Sequence, residues 1–344
     1  MSSKAKVAAI AGSVLVIAGV AYFFLANQGV DLPGAGVLAQ EPETCPLTGE
    51  EPGRKAVLDR PAVAVKIENA PVAYPLSGLE DADIVYEELV EGGVTRFMAI
   101  YHCADSPKAG PIRSARMVDP AIMTPITRIL AFSGGNQTVL DNLGEHDIVQ
   151  IEETAAGEAM QRIPRAGLSF EHTLYADSAA VRKLGDEEFD EPPPDDLEFG
   201  DIEARGRKAR SITITFSNAT TVSYEWNGER WARSQGGAPF ESENHGQIGV
   251  DNVIVEEHTL RLSEVVDVTG TPSVEIADKS GSGKAVLFRD GRAYVGTWNR
   301  ESVEDAVSFE TKDGETMVLK PGNTWVHLVP DANSEVEGSF DFGK

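Results

Sequence analysis

Thiols, imidazoles and cations are all scarce in this chain. Of 344 residues two are cysteine and six are histidine, and 30 Lys and Arg stand against 55 Asp and Glu, a formal charge of −25. The histidines (102, 146, 172, 245, 258 and 327) form no His-x-x-x-His pair, and no Cys-x-x-Cys occurs. That leaves a zinc site without its usual ligand spacing, and neither a metal nor a cofactor is expected. The acidic balance argues against broad binding to nucleic acid or to an anionic lipid surface, because both need neutralising Lys and Arg.

Charge is missing altogether from Val7 to Val30, 24 residues that follow Lys4 and Lys6. About 20 apolar residues span a bilayer. Lysines before the run and Asp31, Glu41 and Glu43 after it orient the chain with its N-terminus inside. The expectation is a single-pass anchor in the cytoplasmic membrane, with everything beyond about residue 31 extracytoplasmic. A cleaved signal peptide is the alternative, with an ambiguous small-residue cleavage pattern near Ala26. Outside the cytoplasm, Cys45 and Cys103 are compatible with one disulfide pinning the start of the folded region to the strand ending near His102. Two buried free thiols are the competing reading.

The pattern then divides. Residues 1–30 read as anchor and 31–44 as a Gly/Pro-containing tether. Residues 45–185 read as a mixed α/β domain, with strands at 61–68, 84–90 and 95–103 and helical stretches near 116–126 and 177–184. Residues 186–210 read as an exposed connector, because Asp186 to Glu198 holds eight acidic residues and three consecutive prolines. From Ser211 onward alternation replaces helical periodicity, and Asn227-Gly228, Asp290-Gly291 and Asp313-Gly314 supply tight hairpin turns. The fold class expected is α+β: a transmembrane anchor, a mixed α/β domain and an all-β, hairpin-rich domain.

Against the acidic background one cationic island stands out. Between Thr95 and Arg128, Arg96, Lys108, Arg113, Arg116 and Arg128 face only Asp105 and Asp119. Arginine suits phosphate and carboxylate because its planar fork donates two parallel hydrogen bonds. The candidate anion site therefore comprises Arg96, Arg113 and Arg116, with Arg165 and His172. Gly134, Gly135 and Asn136 could bring backbone amides to the same anion at a helix N-terminus. Glu88 and Asp119 are the acid/base candidates. Glu87 points to the opposite face of its strand from Glu88, so the two cannot form one paired site. The plain reading is a structural ion-pair network with Glu87, Glu88 and Glu91. Gly281-Ser-Gly-Lys284 lacks the spacing of a phosphate loop.

Several longer motifs carry a family resemblance. Cys45-Pro-Leu-Thr-Gly49, Tyr74-Pro-Leu-Ser-Gly-Leu79, Ala82 to Arg96 and Gly110-Pro-Ile-Arg-Ser-Ala-Arg116 resemble the N-terminal domain of the YerB-like bacterial envelope lipoproteins. Asp251-Asn-Val-Ile-Val255, Gly296-Thr-Trp298 and Pro321-Gly-Asn-Thr-Trp325 resemble their C-terminal β domain. The resemblance implies a membrane-tethered, extracytoplasmic, two-domain protein and no assigned reaction. Pro42-Glu-Thr44 before Cys45 is no lipobox, so the resemblance does not carry over an acylated cysteine. A looser likeness, in pattern only, is to the LytR–CpsA–Psr phosphotransferases, whose contiguous motifs are absent.

Two functions follow as expectations. The first is an accessory envelope protein that binds an anionic envelope ligand or an envelope protein partner. The alternative is an enzyme acting on a phosphate- or pyrophosphate-bearing envelope substrate through the arginines.

Overall fold

The computed structural model describes residues 43–267 and 270–344. Its frame is an eleven-stranded sheet to which both halves of the chain contribute. The early half supplies β1 (Val63–Glu68), β2 (Ile84–Leu89), β3 (Thr95–Tyr101), β4 (Ile129–Phe132) and β5 (Val149–Glu152). The late half supplies β6 (Asn252–His258), β7 (Gly281–Arg289), β8 (Arg292–Arg300), β9 (Ser308–Thr311) and β10 (Thr324–Pro330). The order is β9-β8-β7-β6-β10-β2-β3-β1-β4-β5, with the short Arg207–Lys208 strand beside β8. The junction is β10, which lies parallel to both β6 and β2. Its run Trp325-Val-His-Leu-Val329 is apolar almost throughout, as a strand covered on both faces must be.

The expected fold class is therefore corrected. The protein is mostly β, and one sheet runs through what reads in sequence as an α/β region and an all-β region. Among the described residues the α-helices are short: α1 (Asp119–Met123), α2 (Gln137–Glu145) and α3 (Ser178–Gly185). They cover sheet surface and do not form a layer of their own. The anchor expected over residues 7–30 lies outside the described residues. No described helix is long and apolar enough to cross a membrane, so the anchor gains no support here.

A second, six-stranded sheet packs on the main one. Its strands Ser211–Thr215, Thr221–Trp226 and Trp231–Gln235 alternate as the sequence predicts, with Ile212, Ile214, Val222, Tyr224, Trp231 and Arg233 buried inward. Asp290 and Gly291 take positive φ (51° and 66°), the geometry of a two-residue hairpin turn joining β7 to β8. The acidic stretch 186–198 is less exposed than its composition predicts. Phe189 and Leu197 pack against the core while the carboxylates around them face outward.

Cys45 and Cys103 form a disulfide with a Cα separation of 6.1 Å across 58 residues of chain. It ties the first described residues to the end of β3. Closing a loop of this length restricts the unfolded chain, so Cys103→Ser should cost about 2–4 kcal/mol. Urea unfolding with and without reductant checks this: reductant should destabilise the parent by the same amount and leave the variant unchanged.

Candidate functional site

Cross-strand register assembles the site. Glu68 at the end of β1 pairs with Arg96 at the start of β3, and Arg96 pairs in turn with Glu88 on β2. The three side chains therefore sit side by side on one face. Lys66, two residues before Glu68, shares that face. Its ammonium contacts the Glu88 carboxylate and lies 2.5 Å from Asp119 Oδ1, with all three side chains buried. The other Asp119 oxygen accepts the Arg116 backbone N–H at 2.7 Å. Asp119 thus opens α1 while fixing the preceding loop, and no side-chain cap forms at this helix N-terminus.

That loop, 109–116, runs beside the ends of β1 and β4. Arg113 N donates to Lys66 O at 2.9 Å, and Ala115 N donates to Gly134 O at 3.0 Å. Because β1, β4 and β5 are parallel, the cluster lies at their carboxyl ends, the usual place for sites in sheets of this kind.

The three arginines have different fates. Arg116 is committed: its Nε and one terminal nitrogen donate to Glu91 Oε2 at 3.0 and 2.6 Å. Arg96 is almost fully buried and donates to Ser114 O at 2.9 Å, yet it forms no ion pair among the described residues. Burial, and then the neighbouring Arg116, lower its pKa from the usual guanidinium value to about 9. Arg113 donates to Glu171 O at 3.0 Å and is likewise without an ion pair among the described residues. His172 joins the group through Glu68, with Nδ1 2.8 Å from Oε2. Burial raises the Glu68 carboxyl despite that partner. Burial also raises Glu88 to about 7, against the pull of Lys66, and its Oε2 is buried without a hydrogen bond.

The remaining candidates have structural partners of their own. Arg165 clamps the 73–75 segment, donating to Ala73 O at 2.9 Å, Tyr74 O at 3.2 Å and Pro75 O at 3.1 Å. Asn136 caps α2 by accepting the Thr138 N–H at 3.0 Å, and Gly134 serves the 109–116 loop. Glu87 points to the opposite face, as strand alternation requires. Sequence reasoning missed Lys66 and Glu68, whereas the ion-pair reading had named Glu91, which Arg116 engages. The available signal was Lys66 and Glu68 at i and i+2 in an otherwise apolar strand. Among the described residues no group of three or more His, Cys, Asp or Glu is placed to hold a metal ion.

A mostly-β protein with a buried ion cluster at its strand ends is the class that fold and site define. Residues 47–190 match the N-terminal domain, and 212–326 the C-terminal domain, of the protein family of unknown function DUF3048. The chain belongs to this family. It is 27% identical over 308 residues to YerB of Bacillus subtilis (strain 168), which is provisionally named a lipoprotein, covering 84% of this chain and 87% of that one. The crystal structure of Bacillus subtilis YerB matches with a TM-score of 0.71 at 24% identity, over 87% of this chain and 99% of that one. That likeness carries the fold.

Proposed function

We propose that this is an extracytoplasmic bacterial envelope protein that binds an anionic envelope ligand at the carboxyl ends of β1 and β4, with Arg96 and Arg113 as the receiving cations. The observation that carries the reading is Arg96 itself. A buried guanidinium without an ion pair is costly to keep, and here it sits beside two further arginines in a chain of net charge −25. An anion offsets that cost. The name of the Bacillus relative and the disulfide both support an envelope location outside the cytoplasm.

Calorimetric titration with inorganic pyrophosphate tests the site. Arg96→Gln and Arg113→Gln should each weaken binding at least tenfold. Arg96→Gln should leave the melting temperature unchanged or raised, since it removes an unpaired buried charge. Arg116→Gln should lower it by breaking the Glu91 pair. Unchanged affinity in both of the first two variants would remove the proposal.

A catalytic role has one specific observation behind it: Glu88, which burial raises to about 7, lies in register beside Arg96, in the range a general acid needs. Binding remains the preferred reading. A cavity of about 70 Å³ between the sheet and α1 and an open cleft of about 830 Å³ bordered by Gly92 and Gly93 are lined by none of the three arginines.

A further inference from the structure

The 70 Å³ cavity lies on the same sheet face as Glu88 and Arg96, further along toward β6. Its floor is Ile84 and Tyr86 of β2, Ile254 of β6 and Leu328 of β10. Its roof is Ile122 of α1 and Leu197 of the acidic connector. The lining is carbon with a few polar atoms at its margin, the composition of a small-ligand pocket.

Most of the charged lining groups are spent on one another or on the backbone. His258 places Nε2 3.0 Å from Glu256 Oε2 and Nδ1 3.3 Å from Asp278 Oδ1, and its ring stacks on Trp298 at 4.4 Å. Arg300 donates to four carbonyl oxygens, those of Ala121, Ser302, Val303 and Asp305. The last two charged lining residues, Asp196 and Lys279, are opposite in sign. What is left over is the Tyr86 hydroxyl. It belongs to a cavity-lining side chain and makes no hydrogen bond among the described residues. Tyr86 is partly exposed and its hydroxyl is open to a partner in the cavity.

The geometry points to a second binding site, one for a small uncharged molecule with a short aliphatic part and a single hydrogen-bonding group, such as a two- or three-carbon alcohol. The aliphatic part lies between Ile84, Ile254, Leu328 and the Ile122–Leu197 roof, and the polar group meets Tyr86. The apolar surface of the lining favours a ligand with an aliphatic part, because each methylene adds to affinity through the area removed from water. The lining charges without an ion pair among the described residues, Asp196 and Lys279, are opposite in sign and so favour neither an anionic nor a cationic head. The site is separate from the arginine cluster and stands or falls without it.

Amide chemical-shift titration of the folded protein with 1-propanol, propionate and propylammonium provides the test. Propanol should shift amides in β2, β6 and α1 saturably, and the two ions should bind at least tenfold more weakly. Tyr86→Phe should weaken propanol about fivefold, the loss of one neutral hydrogen bond. Ile254→Trp should abolish binding by filling the space. Ala121→Phe, at the margin of the cavity, repeats that test should the tryptophan variant not fold. No saturable shift with propanol overturns the site, as does binding that survives the filling variants. Propionate binding as tightly as propanol assigns the head group to Lys279 and overturns the uncharged ligand, and an unaffected Tyr86→Phe overturns the role of the hydroxyl.

Discussion

Lys66→Met should lower the free energy of unfolding by about 3–5 kcal/mol at pH 7.5, the range for breaking a buried ion pair by removing one partner. The lysine ammonium is wholly buried and is the shared partner of Glu88 and Asp119. Methionine matches its length and removes its charge, leaving two carboxylates facing each other away from water. The loss should depend on pH. In the folded parent Glu88 titrates at about 7, up from 4.5, because burial outweighs the lysine. A carboxyl raised on folding contributes stability that is full below pH 4.5 and lost as pH rises through 7. Without Lys66 nothing nearby favours ionisation of Glu88 as strongly, so the penalty should be greatest at pH 7.5 and smaller at pH 5. Urea unfolding at the two pH values decides. Equal losses at both would exclude the charge account, and a loss under about 1 kcal/mol would mean that water reaches the pair.

The second large effect is expected on the opposite face of the sheet. Arg233 comes from the second sheet, is fully buried, and donates to Glu87 Oε2 at 3.0 Å and to Gln235 Oε1 at 2.8 Å, with its guanidinium 3.9 Å from the Phe240 ring centre. Burial pushes Glu87 up, yet Arg233, His327 and Thr95 together hold it down at about 2. Arg233→Met should therefore cost about 3–5 kcal/mol by leaving a buried carboxylate without its main counter-charge. Adding Glu87→Gln should recover much of that loss. A double-mutant cycle should show a coupling of at least 2 kcal/mol, and additive losses would disprove a direct pair. The sign with pH is opposite to that of Glu88. A carboxyl lowered on folding stabilises above pH 4.5 and loses its contribution as pH falls through 2, so Glu87→Gln should flatten acid unfolding.

These two residues also mark where sequence reasoning stops. Alternation in Val63-Ala-Val-Lys-Ile-Glu68 places Lys66 and Glu68 on one face, but it does not say that this face is covered. A strand reads the same whether its second face meets water or α1. Arg233 alternates inward in a β-like run, and only the packing of the second sheet reveals that its partner is Glu87, 146 residues earlier.

The sequence by itself determined the strand-rich later half, the hairpin turns at Asn227-Gly228 and Asp290-Gly291, the opposite faces of Glu87 and Glu88, and the cationic stretch around Arg113. These follow from local periodicity, from the positive φ that Gly and Asp tolerate, and from composition. The tertiary structure alone decided that β10 inserts beside β2 and merges the two halves into one sheet, because a strand that is apolar almost throughout carries no record of which neighbour will pair with it. It also decided that Arg116 is committed to Glu91 and Arg165 to backbone carbonyls while Arg96 is left without an ion pair, because partner choice among like residues depends on distances across the fold, which spacing along the chain does not encode.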